Sequence, residues 1–229
     1  MSIQELREQF RYRVARFLLI GPFLFIWGRP KTTGRHNIPR HGAVILTANH
    51  LAITDSFYVV QCARRRVFFL AKSDYFTQPG LKGKFKKTFF SGMGQIPVDR
   101  SGGDASSPAI VAATKIVEAG EAWGIHPEGT RSPDGRMYKG KTGAIRVAVA
   151  TGSPVVPIAL RNTADRNWRN FWRSRVYIDI LPAMDLSGIG PDDHDKIRAA
   201  TDDMMAAIRA KTGQEYVNVY AKPGSAGAK

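Results

Sequence analysis

The feature that most limits the fold of this chain is an alternation of short apolar runs with longer amphipathic segments after Pro30. Short runs with nearly continuous hydrophobicity are typical of β-strands covered on both faces, and the segments between them have helical spacing. Strands that alternate with helices predict an α/β layered domain around a central, mostly buried sheet. The predicted strands are 43–49, 67–71, 95–98, 123–127, 154–160 and 176–181, and the predicted helices are 55–63, 76–91, 107–120, 140–151 and 192–212.

Residues 1–30 follow a different pattern. Apolar residues recur at helical spacing up to Phe17, and the eleven residues from Phe17 to Trp27 carry no polar side chain. A bilayer span needs about 20 such residues, and Gly21-Pro22 is expected to break or kink the helix. We expect two short helices in the membrane interface, with arginines at headgroup level. A secretory signal peptide, for which no small-x-small cleavage site follows, and a hairpin buried on the domain are the alternatives.

Residues 31–220 are predicted to form one domain. The length of the whole chain, 229 residues, suits a single core with a small appendage. Residues 221–229 are small and polar, which predicts a disordered tail. The single cysteine, Cys62, cannot form an internal disulfide, and a lone cysteine usually has a packing role.

The chain is strongly basic, with 34 Lys and Arg against 19 Asp and Glu and a net charge of +15. This excess favours an anionic partner. Basic and aromatic residues mix in the segments 64–66, 82–87 and 166–173. Such segments suit an anionic membrane surface or single-stranded nucleic acid, and the plainer alternative is a solvated basic face.

The segment from Asn49 to Asp55 carries the clearest chemical signal. A predicted strand ends at Asn49, and His50 and Asp55 follow it, at the strand end where α/β sheets place ligands. If Thr54 or Asp55 begins the next helix, the carboxylate turns back towards His50. A carboxylate on one ring nitrogen lets the other act as a base towards a hydroxyl. The alternative is that Asp55 only caps the helix.

Two further predicted strands end in polar residues. The predicted strand 123–127 leads into the segment His126-Pro127-Glu128-Gly129-Thr130-Arg131. Its glycine permits a tight turn, and its arginine can bind a phosphate or carboxylate. The segment Gly94–Arg100 ends in a second arginine, and Lys72 directly follows the strand 67–71 as a phosphate candidate.

The sequence GRMYKGKTG at 135–143 matches the nucleotide-binding pattern G-x-x-x-x-G-K-[ST]. That loop must leave a strand directly, yet residues 128–134 intervene here. We therefore expect Lys141 to meet an anion other than ATP, and a nucleotide-binding protein is a distant alternative.

Four segments in this order resemble the glycerolipid acyltransferase family, and within it the 1-acylglycerol-3-phosphate acyltransferases. His126 and Pro97 depart from the family pattern, because each stands where an aromatic residue is usual. The matching residues are Asn49, His50 and Asp55 of N-H-x-x-x-x-D; Gly94 to Arg100; Pro127 to Ser132 of P-E-G-T-R-S; and Val156, Pro157 and Ile158.

The resemblance implies an O-acyltransferase in which His50, oriented by Asp55, deprotonates the free hydroxyl of a lysophospholipid. The alkoxide then attacks the thioester of acyl-CoA or an acyl carrier protein, with phosphatidic acid as the expected product and no covalent acyl-enzyme. Glycerol-3-phosphate, another lysophospholipid or a glycolipid are alternative acceptors. The resemblance implies substrate binding by Asn49, Arg100, Glu128, Gly129, Thr130 and Arg131. Lys72 is added as a phosphate candidate, and Lys141 as a contact for a lipid phosphate or the phosphates of coenzyme A.

These assignments predict the surroundings of the protein. We expect a peripheral or monotopic protein of the cell membrane with its catalytic domain on the cytoplasmic side. Expected partners are the acyl donor, the lysophospholipid acceptor and an anionic membrane surface; no nucleic acid, cofactor or metal is expected. A His50–Asp55–Ser56 hydrolase is disfavoured, because adjacent Asp and Ser cannot easily flank one imidazole.

Overall fold

The computed structural model describes residues 10, 12, 14–72, 80, 83, 95–98, 108–164, 171–173 and 175–222. Within these ranges a seven-stranded sheet and five α-helices form an α/β domain, which confirms the predicted fold class. The sheet consists of β1 (Lys31–Thr33), β2 (Val44–Ala48), β3 (Val67–Lys72), β4 (Gln95–Val98), β5 (Ala122–Ile125), β7 (Val155–Arg161) and β8 (Tyr177–Ile180), while β6 (Met137–Tyr138) and β9 (Tyr216–Val217) form a separate pair. The helices are α1 (Gly21–Gly28), α2 (Asp55–Ala63), α3 (Pro108–Glu118), α4 (Gly143–Thr151) and α5 (His194–Thr212).

The strand order determines where the ends of the strands meet. The order is β1-β8-β7-β2-β5-β3-β4, and β7, β2, β5, β3 and β4 run parallel to one another. Only β8 pairs antiparallel, with β7. The carboxyl ends of the five parallel strands therefore share one edge, which we call the carboxyl edge. Ligands of open α/β sheets bind at this edge.

The sheet is covered on both faces because its side chains alternate in direction. Val44 and Leu46 of β2 pack with α1 and α2, whereas Ile45 packs with α3, α4 and α5. Every residue of β2 is buried. The nearly continuous hydrophobicity of the strands thus reflects two helical layers, as the sequence predicts.

The amino-terminal helix does not break at Gly21-Pro22, while the kink that was the other expectation stays a prediction. A π-helical segment, Ala15–Ile20, passes directly into α1, and the Gly21 N–H donates to the Arg16 carbonyl. Pro22 has no N–H to donate to the helical ladder, and the irregular π-helical segment lies directly before α1.

One side of this amino-terminal helix packs on α2. Ile20 and Leu24 are buried there, and the buried Arg16 guanidinium donates to the Gln61 carbonyl at 3.0 Å. The other side exposes Leu18, Phe25 and Ile26. Among the described helices, none has the length and hydropathy needed to cross a bilayer.

Some predicted elements differ from the structure or cannot be compared with it. The predicted helix 140–151 starts at Gly143, and the predicted strand 123–127 ends at Ile125. Most of the predicted helix 76–91 and of the basic run 82–87, residues 165–170, and the tail from 223 onwards lie outside the described residues.

Candidate active site

The turn between β2 and α2 brings His50 and Asp55 together at the carboxyl edge. Asp55 is the first residue of α2, and its Oδ2 atom lies 3.0 Å from Nδ1 of His50. The same oxygen accepts the main-chain N–H groups of Leu51 at 2.5 Å and Ala52 at 2.7 Å. The local turn thus fixes the carboxylate, which in turn faces the imidazole as the sequence spacing predicts.

Exposure and hydrogen bonding assign different roles to the two side chains. The Asp55 side chain is 0% exposed and that of His50 17%. A carboxylate accepts only, so the Nδ1–H of a neutral His50 donates to Asp55 and its Nε2 carries the lone pair. This arrangement suits an imidazole base, because the carboxylate stabilises the imidazolium formed when Nε2 takes a proton.

Glu128 joins this turn to the loop after β5. Its Oε1 atom accepts the His50 N–H at 3.0 Å, and Oε2 accepts the Tyr138 N–H at 2.9 Å. The side chain is 1% exposed. Burial raises the pKa of Glu128 to about 7, although the two N–H donors oppose this shift. Glu128 thus anchors the main chain of both segments, and its expected substrate contact stays a prediction.

Asn49 also holds the main chain in place. Its Oδ1 atom accepts the Leu160 N–H at 2.8 Å, and Nδ2 donates to the Leu160 carbonyl and to Oε1 of Gln214, both at 2.9 Å. The residue is 0% exposed. The buried amide of Asn49 thus links β2 to β7 and to the segment after α5, and its expected substrate contact stays a prediction.

The exposed cationic part of the site lies on the turn that follows β5. Gly129 closes this turn with φ +78°, and its N–H donates to the His126 carbonyl at 2.9 Å. A β-carbon placed on Gly129 would lie 3.5 Å from Nζ of Lys141, so the exposed ammonium rests against the turn. Thr130 and Arg131 continue the turn, both partly exposed. Arg100 and the side chain of Lys72 lie outside the described residues.

The segment 135–143 lacks the geometry of a nucleotide-binding loop. Such a loop cradles phosphates with main-chain N–H groups. Here those of Arg136, Met137, Tyr138, Lys139 and Lys141 donate to protein oxygens at 2.8–3.1 Å. The segment contains the short strand β6, and these five N–H groups are already bonded within the protein. This finding agrees with the expectation that the pattern is not an ATP site.

The sequence did not predict that His126 would lie on His50. The two rings stack with centroids 3.9 Å apart and an interplanar angle of 9°. Nδ1 of His126 lies 2.9 Å from the Ala48 carbonyl oxygen, and Nε2 lies 2.9 Å from Oγ of Ser56. The only signal in the sequence was a histidine directly after a strand, in the place of an aromatic residue.

The Cys62 thiol is buried and unsuited to act as a nucleophile. Burial raises the pKa of the Cys62 thiol to about 12, so the thiol is not ionised near neutral pH. Within the described ranges, no group of three or more His, Cys, Asp or Glu side chains is arranged to hold a metal ion.

Comparison with known proteins agrees with this geometry. The sequence model of the acyltransferase family matches residues 29–161. The chain is 32% identical to the 1-acyl-sn-glycerol-3-phosphate acyltransferase of Borreliella burgdorferi over 67% of its own length and 61% of that protein. It is 26% identical to the 1-acyl-sn-glycerol-3-phosphate acyltransferase alpha of Homo sapiens over 94% of its length and 77% of that protein.

The fold has a counterpart of known structure. The crystal structure of the 1-acyl-sn-glycerophosphate acyltransferase of Thermotoga maritima superposes with a TM-score of 0.65 at 18% identity, over 92% of this chain and 83% of that one. The family match covers β2, α2 and the loop after β5, which together carry His50, Asp55 and Glu128. The chain belongs to the acyltransferase family and is an acyl-transferring enzyme.

Proposed function

We propose that this enzyme transfers a fatty acyl group from the thioester of acyl-CoA or acyl carrier protein to the free hydroxyl of 1-acylglycerol-3-phosphate. The products are phosphatidic acid and the free thiol. The names of the relatives support this acceptor. The observation that carries the proposal is the His50–Asp55 pair at the carboxyl edge, with Nδ1 on the carboxylate and Nε2 left for a substrate.

The proposed reaction uses His50 as base and then as acid. Nε2 takes the proton of the acceptor hydroxyl while its oxygen bonds to the thioester carbonyl carbon. Asp55 stabilises the imidazolium during this step. The tetrahedral intermediate then collapses, the carbon–sulfur bond breaks, and the thiolate takes the proton from Nε2. No residue needs to become acylated, because a thioester is already activated.

The cations beside this pair support a phosphate-bearing substrate. Lys141 lies exposed against Gly129, one residue from Glu128, whose carboxylate binds the His50 N–H. Arg131 follows two residues later in the same turn. A phosphate of the acceptor or of coenzyme A fits these groups by charge, and Arg offers it two parallel hydrogen bonds.

The enzyme is proposed to reach its lipid acceptor through an apolar surface that we call the interfacial face: Leu18, Phe23, Phe25, Ile26 and Trp172. All five side chains are exposed. Trp27 stacks on Phe171 with centroids 5.6 Å apart, and the Arg29 guanidinium donates to the Trp172 carbonyl. These contacts join the helix to the segment before β8 in one aromatic surface, which suits the bilayer interface.

The interfacial face is directly connected to the catalytic turn. Gly28, at the end of α1, packs so closely on α2 that a β-carbon there would lie 2.0 Å from the Tyr58 hydroxyl. Tyr58 lies one turn after Asp55 in the same helix. A bilayer bound at this face would therefore lie near the carboxyl edge. We propose peripheral attachment, with the catalytic domain on the cytoplasmic side.

The reaction is tested with purified enzyme, oleoyl-CoA and 1-oleoylglycerol-3-phosphate in phosphatidylglycerol vesicles, with the lipid product identified by mass spectrometry. Phosphatidic acid is expected, and His50→Ala should lower kcat by at least about 10³-fold. His41→Ala is the matched control, because His41 is exposed before β2, at the opposite edge of the sheet. Equal turnover by the His50→Ala variant and the wild type would refute the assigned base.

Substrate choice is tested in the same assay. Glycerol-3-phosphate and lysophosphatidylcholine replace the acceptor in parallel reactions, and acyl carrier protein replaces coenzyme A as the carrier. The proposal requires the highest kcat/KM with 1-acylglycerol-3-phosphate. A higher value with either competing acceptor would reassign the substrate while leaving the base in place.

Membrane attachment is tested by flotation with phosphatidylglycerol and phosphatidylcholine vesicles. Phe25→Gln combined with Ile26→Gln should reduce the floated fraction on both, and the wild type should float better with the anionic lipid. Val111→Gln is the control, since Val111 is an exposed apolar residue on α3, across the sheet. Undiminished flotation of the double variant would contradict the interfacial face.

A further inference from the structure

We propose that His126 is a positioning residue, whose ring face fixes the plane of the His50 imidazole and so the direction of its Nε2 atom. The inference rests on the proposed role of His50 as the base. It concerns a position where this chain departs from the family pattern and which the reaction described above does not use.

The first step of the argument is that both ring nitrogens of His126 face protein groups. A carbonyl oxygen only accepts, so the contact of 2.9 Å with the Ala48 carbonyl requires a proton on Nδ1. Nε2 faces the Ser56 hydroxyl at 2.9 Å, which can donate to it. These contacts fix the ring at two opposite points and turn its nitrogens away from a catalytic proton transfer. What His126 presents to His50 is its face.

The second step concerns the freedom of the His50 ring. The hydrogen bond from Nδ1 to Asp55 restrains the ring at one atom, and small rotations of the His50 side-chain bonds that keep this hydrogen bond can still tilt the ring. Rotation would swing Nε2 away from the acceptor hydroxyl. A second ring at 3.9 Å and 9° removes this freedom, because a close parallel face defines a plane. The bond and the stack together set the direction of the lone pair on Nε2.

The third step is that strand β5 is built to support this ring. Phe69 of β3 lies beside His126, with ring centroids 5.6 Å apart. Its ring crosses Gly124, where a β-carbon would approach Phe69 Cζ to 2.3 Å. Only a glycine leaves room for this crossing. Three rings therefore adjoin one another across β3, β5 and the end of β2.

A neutral stacked ring also suits the charge that His50 gains during the reaction. The face of a neutral aromatic ring attracts a cation, whereas a second positive charge at this distance would repel it. With the Nδ1–H of His126 donating to the Ala48 carbonyl, Nε2 of the neutral ring can accept from the Ser56 hydroxyl. Of the ionisable groups, Asp55 bonds to the His50 ring and Glu128 to the His50 main-chain N–H.

Two variants separate the ring from its nitrogens. His126→Asn keeps a donor near Ala48 but has no ring, and kcat should fall about 10- to 100-fold with KM nearly unchanged. His126→Phe keeps the ring and should retain kcat within about 5-fold of wild type. Wild-type kcat in the Asn variant would overturn the proposal, as would a Phe variant impaired as strongly as the Asn variant.

Thermal unfolding of each variant shows whether it folds. If His126→Phe does not fold, Ser56→Ala replaces it, because that change releases one nitrogen and keeps the ring; kcat within about 5-fold of wild type is again expected. A loss as large as that of His126→Asn would overturn the proposal.

A second readout does not depend on turnover. In histidine-labelled protein the His50 ring protons should shift downfield in the Asn variant, because they lose the ring current of His126, and should move little in the Phe variant. Unchanged His50 shifts in the Asn variant would overturn the stack. A wild-type enzyme without any acyl transfer would instead overturn the proposed function, so the two failures are distinguishable.

Discussion

The main-chain N–H of His50 donates to Oε1 of Glu128 at 3.0 Å, while its carbonyl accepts the Ser132 N–H at 2.8 Å. The loop after β5 therefore holds the backbone of the proposed base from both sides. Two segments that are 78 residues apart in the sequence form one structural unit at the carboxyl edge.

Glu128→Gln should change the pH dependence of stability. The folded protein holds the Glu128 proton up to about pH 7, whereas an unfolded chain releases it near the ordinary pKa of 4.5. The folded state thus binds more protons between these values, and the free energy of unfolding falls as pH rises through that window, by an amount on the order of 3 kcal/mol. Urea unfolding at pH 4.5 and 8 should show a smaller fall in the Gln variant. Glu118→Gln, at an exposed site on α3, should behave as wild type; an equal fall in both variants would contradict the prediction.

Asp55→Asn should lower kcat with little effect on KM. The amide oxygen can still accept the N–H groups of Leu51 and Ala52 and so preserve the turn, but the neutral side chain no longer stabilises the imidazolium of His50. Steady-state kinetics should show a fall in kcat of about 10²- to 10⁴-fold. Asp203→Asn, an exposed change on α5, is the matched control. A variant that kept wild-type kcat would refute the role assigned to the carboxylate.

Cys62 should resist alkylation in the folded enzyme. Its thiol is buried, with a pKa raised to about 12, and reaction with N-ethylmaleimide requires an accessible thiolate. Intact-protein mass spectrometry should show no adduct under native conditions and one adduct in urea, since the chain has a single cysteine. Rapid native modification that also stopped turnover would show that the thiol is accessible and lies near the site.

Lys141→Ala should weaken the binding of one substrate, either the lysophospholipid or acyl-CoA. The loss of one exposed ammonium contact should raise the KM of that substrate about 3- to 10-fold. A rise for the lysophospholipid assigns the contact to its phosphate, and a rise for acyl-CoA assigns it to the phosphates of the donor. Lys115→Ala on α3 is the control. Unchanged KM values for both substrates would remove Lys141 from the site, and equilibrium dialysis should show no ATP binding by the wild type.

The sequence predicted the geometry of single turns better than the contacts between residues that are far apart in the chain. The turn from β2 into α2 is encoded within seven residues, so the approach of Asp55 to His50 followed from their spacing. The stack of His126 on His50 depends on β5 lying next to β2, and strand order arises from pairing between distant segments. The two-residue strands β6 and β9 are too short to carry a pattern, which is why residues 137–138 were not predicted as a strand.

The buried amide of Asn49 has a consequence for transplanting this chemistry. By exchanging two hydrogen bonds with Leu160, the side chain replaces a peptide group and extends the pairing of β2 with β7 by one step. The main chain of His50 is thereby released to leave the plane of the sheet. A designer who grafts only the histidine and aspartate onto another parallel sheet would let the next peptide group continue the strand and would bury the imidazole. The minimal graft consists of the asparagine, the histidine and the aspartate at their native spacing. The neighbouring strand must also offer a peptide N–H and carbonyl for the two hydrogen bonds of the asparagine.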